Sequence, residues 1–362
     1  MTASTINNRE DLVSYLHSAM ALEHATIPPY LTAYYSIRST TNSDAAHLIR
    51  VVAVEEMLHL TLVANVLNAI GGEPDLVRPG FVPSYPAYLP DGENDFTVDL
   101  RPFDTEAVQQ FCKIERPGKA PDADSRLVSV ADNGRPHLVS SPTAEGMRFY
   151  SIGEFYEEII EGLEKVAAAD PGLFRGDPAR QVRPEYFYSG GGSVIVVSDL
   201  ESARRALRFI ADQGEGLDSG LYDEEGELAH YYRFRQLHFE RYYQVGDDPD
   251  SPSGPKLSIA WNEVYKVKVN AKLADFPAGS ELAAAAEDFN AEYGAFLALL
   301  NDAFNGQPAL LLDAVWYMFR LRDGFNRLIR NPLPGTDGLH AAPTFEIPAA
   351  ALVTGKAEAV AQ

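Results

Sequence analysis

An apolar helix with ionisable groups on its buried face admits few folds, and VVAVEEMLHLTLVANVLNAIGG (residues 51–72) reads as such a helix. Glu56 and His59 stand three residues apart, so one turn of helix puts both on the face that carries Val52, Leu60 and Val63. A carboxylate and an imidazole in a dry interior are unfavourable unless something compensates them, and a metal ion does so. Glu55 has the same apolar flank, and periodicity does not separate it from Glu56. The i, i+3 relation to His59 points to Glu56 as the ligand and to Glu55 as its support. A lone Glu-x-x-His is common and is more often a hydrogen-bonded core histidine. Here a second anomaly accompanies it.

That anomaly is Glu23, inside AMALEHATIPPYLTAYYSI (residues 19–37). Leu16, Ala19, Glu23, Ile27 and Tyr30 follow the spacing of a buried helix stripe. The pattern predicts a helix from Asp11 to Tyr35, with a kink or restart at Pro28 and Pro29, which lack backbone donors. A second helix is expected from Ala45 to Ile70, stopped by Gly71 and Gly72. Further helices are expected over Ile152–Ala169, Leu200–Gln213, residues 228–245, Ser280–Phe304 and Pro308–Ile329. DFTVDL (95–100) and SVIVVSD (193–199) look like short strands.

Two helices, a long crossover and two more helices is the topology of a four-helix bundle with di-metal sites. The expected fold is therefore mainly α: a ferritin-like four-helix bundle over residues 1–245, with a β-containing crossover at 73–150. A helical extension follows at 246–345, and then a flexible tail at 346–362.

In such bundles two helices each give one Glu and two others each give Glu-x-x-His. Glu23, Glu56 and His59 supply half of that set. For the rest, the third helix offers Glu154, Glu157, Glu158 and Glu161. Its apolar stripe, Ile152, Phe155, Tyr156, Ile159 and Leu163, leaves Glu154 nearly opposite, and a solvated acidic face is the plainer reading. Glu227 and His230 form a second literal Glu-x-x-His, with Glu215 in DQGEG as a rival carboxylate. His17, His24, His47, His137, His238 and His340 lack a comparable context.

Composition removes other chemistries. The chain of 362 residues has 52 acidic and 30 basic side chains, a formal charge of -22, which opposes nucleic acids and anionic lipid surfaces as partners. The aromatic and basic run HYYRFRQLHFERYY is accordingly read as packing near the metal site. Cys112 is the only cysteine, so neither an intrachain disulfide nor a thiolate metal site can form. The polar start MTASTINNREDL and the lack of an uncharged apolar run of membrane length lead to the expectation of a cytoplasmic protein. No phosphate-binding loop, dinucleotide fingerprint or nucleophile elbow is present, and SGGGS (189–193) reads as a flexible turn.

The segments ALEHATIPPYLTAYYSI, VEEMLHLTLVANVLNAIGG, IGEFYEEI, DQGEG, ELAHYYRF and AAPTFE together resemble one family. It is the ferritin-like family that includes the iminophenyl-pyruvate dimer synthases of violacein- and rebeccamycin-type bisindole pathways. The similarity runs from about Asp11 to Glu346, and the named synthases are much longer. The resemblance implies a metal centre with Glu23, Glu56, His59, Glu154, Glu215 and His230 as ligands, favouring Glu154 and Glu215 over helical phase.

A carboxylate-rich, thiolate-free site with two imidazoles suits iron, as two ions, or manganese. The leading expectation is a di-iron, O2-dependent oxidase or oxygenase for a small, amino-acid-derived metabolite, with Tyr30, Tyr231 and Phe155 as pocket walls. The alternative is a non-catalytic metal-binding, iron-handling or pathway partner protein. No haem attachment motif is present. The oligomeric state is left open, a homo-oligomer included.

Overall fold

The computed structural model describes residues 4–90, 95–118, 149–188, 190–216 and 220–352. Helix α1 spans Arg9–Ser36, its first turn capped by the Asn8 side chain, which accepts from the Asp11 N–H at 2.9 Å. The helix does not restart at Pro28 and Pro29 but runs through both. Pro29 cannot donate to the Ala25 carbonyl, but the Tyr85 hydroxyl does so instead at 2.8 Å. Thr32 donates to the Pro28 carbonyl at 2.7 Å. A substitute donor from outside the helix thus replaces the bond that Pro29 cannot make.

Helix α2 spans Ser43–Ala69 and ends where Gly71 adopts a left-handed conformation (φ 74°). By length and composition it could cross a membrane, but 83% of its most apolar window is buried, as for a core helix. Helix α3 (Thr105–Ile114), α4 (Ile152–Ala169), α5 (Leu200–Glu215) and α6 (His230–Phe239) follow, then α7 (Glu281–Phe304) and α8 (Leu310–Ile329). Helix α1 lies along α2 and α4 along α5, while α1 also meets α4 and α2 meets α5. These four make the bundle. Helices α3 and α6 pack on each other against it, and α7 and α8 form a pair touching α2 and α1. One hydrophobic core runs through all of them, from Ile6 to Phe345.

Several local expectations differ from the structure. The segment between α2 and α4 carries α3, a helix with an apolar face and an Asp104 cap, and not only strands. DFTVDL contributes a single antiparallel bridge, Val98 with Ala87. Residues 194–197 form no ladder, because side chains take their backbone groups: Asn65 donates to the Ile195 carbonyl at 3.0 Å, and Gln181 accepts from the Val197 N–H at 3.0 Å. Helix α6 starts at His230 and stops at Phe239, since Glu240 turns left-handed (φ 51°) and the chain beyond it bonds to residues 254–257. Residues 346–352 lie against the core, Ile347 and Ala351 close to Gly294 of α7. The rest of the expected flexible tail, 353–362, falls outside the described residues.

Candidate metal centre

Three carboxylates and two imidazoles converge inside the protein. Glu23 comes from α1, Glu56 and His59 from α2, Glu115 from the residue that caps the end of α3, and His230 from the first position of α6. None is more than 3% exposed. Among the described residues, two groups place their ligand atoms within 4.8 Å of one another: Glu23, Glu56 and His59, and Glu56, Glu115 and His230. Glu56 belongs to both.

Each imidazole is oriented by a partner on its far nitrogen. Gln213 of α5 donates through its amide nitrogen to the Gly191 carbonyl at 3.0 Å, so its oxygen faces His59. The His59 Nε2–H donates to that oxygen at 2.8 Å, which leaves Nδ1 with its lone pair toward Glu23 Oε2, 3.2 Å away, and Glu56 Oε1, 3.6 Å away. His230 Nε2 donates to Glu55 Oε2 at 2.9 Å. Its Nδ1 points at Glu56 Oε1 (3.0 Å) and Glu115 Oε2 (3.5 Å). Two lone-pair atoms facing each other at this range repel unless a proton or a metal cation lies between them. Hydrogen-bonded outer partners on both imidazoles are the usual support of metal-bound histidines.

The carboxylates are held the same way, one oxygen by a hydroxyl and the other turned inward. The Tyr156 hydroxyl donates to Glu23 Oε1 at 2.5 Å, and the Tyr30 hydroxyl donates to Glu115 Oε1. Thr26 stands 3.0 Å from Glu56 Oε2. Burial and the neighbouring carboxylates keep both phenols well above their ordinary pKa, so they stay donors. Burial, then the charges of Glu115 and Glu23, push the Glu56 carboxyl up to about 8. Burial alone would lower His59 and His230, but the carboxylates facing them outweigh it and raise both. The protein has thus concentrated acids that strain against one another. A bound cation relieves that strain, and the N/O donor set fits iron or manganese.

A Ferritin-like family profile matches residues 16–239. The chain belongs to the Ferritin-like family. It is 28% identical to a dichlorochromopyrrolate synthase of Lentzea aerocolonigenes over 96% of this chain but only 37% of the synthase. It is 24% identical to a 2-imino-3-(indol-3-yl)propanoate dimerase of Chromobacterium violaceum, over 64% of this chain and 23% of the dimerase. The chain therefore spans well under half the length of either relative. A bacterioferritin of Desulfovibrio desulfuricans is 30% identical over 48% of this chain and 98% of its own length. The crystal structure of a ferritin-like protein from Caulobacter vibrioides superposes with a TM-score of 0.61 at 25% identity, covering 93% of this chain and 98% of the other.

In this ferritin-like protein the residues singled out from sequence separate into two sets. Glu23, Glu56, His59 and His230 come together. Glu55 stands behind His230, its carboxylate held by Arg233 at 2.8 and 3.0 Å. Burial raises its pKa, but His230 and Arg233 more than offset that and hold it below the ordinary value.

Glu154 and Glu215 belong to neither group. Glu154, at the start of α4, accepts from the Tyr150 N–H at 3.0 Å. Glu215, at the end of α5, accepts from the backbone N–H groups of Gly153 at 2.7 Å and Gly118 at 3.3 Å. Glu158 takes the N-terminal Ser4 and Thr5, Glu157 and Glu161 are exposed, and Glu227 pairs with Arg233 at 2.9 Å. Where α4 and α5 come closest to the centre they present Tyr156 and Gln213.

Glu115 was missed. Its signal lies in Ala107, Val108, Phe111, Ile114 and Glu115, an apolar helix stripe that ends on an acid, the same anomaly as Glu23.

Proposed function

We propose that this protein is a di-iron oxidoreductase that uses O2 on a small, amino-acid-derived metabolite in a biosynthetic pathway. The observation that carries this reading is the pair of imidazole nitrogens, His59 Nδ1 and His230 Nδ1, turned onto inward carboxylate oxygens that share Glu56. Glu23, Glu56 and His59 would hold one ion, and Glu56, Glu115 and His230 the other. Bound iron supplies what no side chain can, the exchange of electrons with dioxygen.

The remaining groups do work that the chain performs itself. Gln213 and the Glu55–Arg233 pair fix the tautomers of His59 and His230. Tyr156, Tyr30 and Thr26 fix the carboxylates. Tyr30, Phe111 and Phe234, with ring centroids 4.8 to 5.2 Å apart, close the Glu115 side to water. A dry, pre-oriented site lets charges act at low dielectric and suppresses side reactions. The names of the two pathway relatives support a biosynthetic setting, although the chain corresponds to only part of each.

The bacterioferritin match favours a second reading, iron handling without turnover. Anaerobic Fe(II) titration followed by exposure to O2 separates the two. The proposed reading expects saturation near two ions per chain and O2 consumption that rises when an indolyl 2-imino acid is added. Uptake far beyond two ions, indifferent to any organic substrate, would favour iron handling. Absence of Fe(II) and Mn(II) binding would refute both.

A further inference from the structure

A second space lies on the other side of the α1/α2 pair. The groups of the metal centre face α4, α5, α3 and α6, whereas a cavity of about 350 Å³ opens between α1/α2 and α7/α8. Its walls include Ile27 and Leu31 of α1, Met57 and Leu60 of α2, Phe296 of α7 and Met318 of α8. Protein interiors are packed so that few voids exceed a water molecule, and this volume falls in the range of small-molecule sites, about 300–1,000 Å³.

The charges around the cavity are the opposite of those of the chain. The protein carries 52 acidic and 30 basic residues, yet the described lining contains Arg50 and Arg322 and no carboxylate. The Arg322 guanidinium lies over the Phe319 ring, 5.1 Å from its centroid, which holds it at the cavity edge. Its ion pair is with the adjacent Asp323, 3.4 Å away, whose side chain is 74% exposed, so solvent screens it. Arg50 stands 3.5 Å from His47. Two aromatic residues of the lining, Tyr188 and Phe319, are 69% and 45% exposed, and Trp316 beside Phe319 is 69% exposed. Exposed aromatics continuous with an apolar cavity mark a place where something apolar enters.

We propose that this cavity binds a small amphipathic monocarboxylate, an aromatic or medium-chain aliphatic acid. Its body lies between α1/α2 and α7/α8, and its carboxylate meets the lining arginines. The apolar walls select the body by area, and the guanidinia select an anion by charge-assisted hydrogen bonds. The site does not depend on the metal reading, since none of its groups belongs to the metal centre.

Isothermal titration of the full chain with decanoate tests this, with decan-1-ol as the neutral probe of the same body. One saturable decanoate site is expected. Ala314→Trp, which fills the wall of α8, should abolish it. The double variant Arg50→Gln/Arg322→Gln alters exposed side chains and should fold as the parent does, as checked by its thermal melt. It should weaken decanoate about tenfold and leave decan-1-ol unchanged. Absence of saturable decanoate binding overturns the proposal. So does binding that survives Ala314→Trp, or an arginine double variant that binds decanoate as tightly as the parent. Since decanoate binding is read without iron, its failure leaves the metal centre untouched.

Discussion

Replacing Gly191 by alanine should weaken metal binding at both halves of the centre although Gly191 touches no ligand. Its carbonyl accepts from Gln213, which orients His59, and its Cα packs on Glu55, which orients His230. A Cβ at this position would lie 2.2 Å from Glu55 Cγ, against about 3.5–4.0 Å for carbon atoms in contact. Glu55 cannot simply step aside, because Arg233 and His230 grip its carboxylate at 2.8 to 3.0 Å. The substitution also forces alanine into φ 73°, which costs about 1–2 kcal/mol by itself.

Gly338 separates the two effects: its φ is 71°, and nothing lies within 4 Å of the corresponding Cβ. Displaced outer partners of metal ligands lower affinity by about 10–100-fold, or about 1.4–2.7 kcal/mol. Competitive titration of Mn(II) against a chelating dye, beside a thermal melt, reads both quantities. Gly191→Ala and Gly338→Ala should both lose stability from backbone strain, and only Gly191→Ala should lose affinity. Unchanged affinity in Gly191→Ala, or an equal loss in Gly338→Ala, would refute the reasoning.

Glu115→Ala removes one carboxylate of the second group, and metal analysis after gel filtration should fall from two ions per chain to one, held by Glu23, Glu56 and His59. Glu215 is pushed up to about 7, chiefly by burial and against the hydrogen bonds of Ser151, Gly153 and Gly118. A folded value above the ordinary 4.5 means that the native carboxyl holds its proton longer than the unfolded chain does. Its contribution is therefore full below pH 4.5 and is lost as pH rises through 7, by up to about 3 kcal/mol. Urea unfolding at pH 5 and 8 should show a smaller decline with pH in Glu215→Gln than in the parent; equal declines would exclude the assignment. Burial pushes the Cys112 thiol up to about 12, so iodoacetamide at pH 8 should alkylate it at least about tenfold faster in urea than in the native protein.

What was legible in the sequence, and what was not, follows from where each residue gets its neighbours. Glu23, Glu56 and His59 lie in long helices whose own apolar periodicity exposes the anomaly, so a local pattern finds them. The bundle was legible for the same reason, as was the α2 terminus at Gly71. Glu115 belongs to a ten-residue helix amid prolines and short alternating runs, where periodicity is too brief to separate helix from strand.

The uninterrupted α1 was beyond local reasoning altogether. Past Pro29 it is supported by Tyr85, sixty residues from Ala25, supplying the donor that Pro29 lacks. Glu154 and Glu215 show the opposite situation. They are inward-turned acids that accept from backbone N–H groups at element ends, and sequence spacing does not reveal such partners.

The division of the proposed ligands has a consequence for the whole assembly. Glu23, Glu56 and His59 project from the middles of α1 and α2, where continuous helix on either side holds them. Glu115 and His230 sit at the end of α3 and the start of α6, two ten-residue helices that pack on each other. Helices this short are marginal alone and depend on tertiary contact. The half containing Glu23 and His59 is therefore pre-formed by the bundle, while the other half exists only when the α3/α6 pair is docked. Glu56 joins them, its carboxylate facing both imidazoles. A cation held between Glu56, Glu115 and His230 would also tie that pair to α2, so occupancy of the proposed second position would favour docking of α3 and α6.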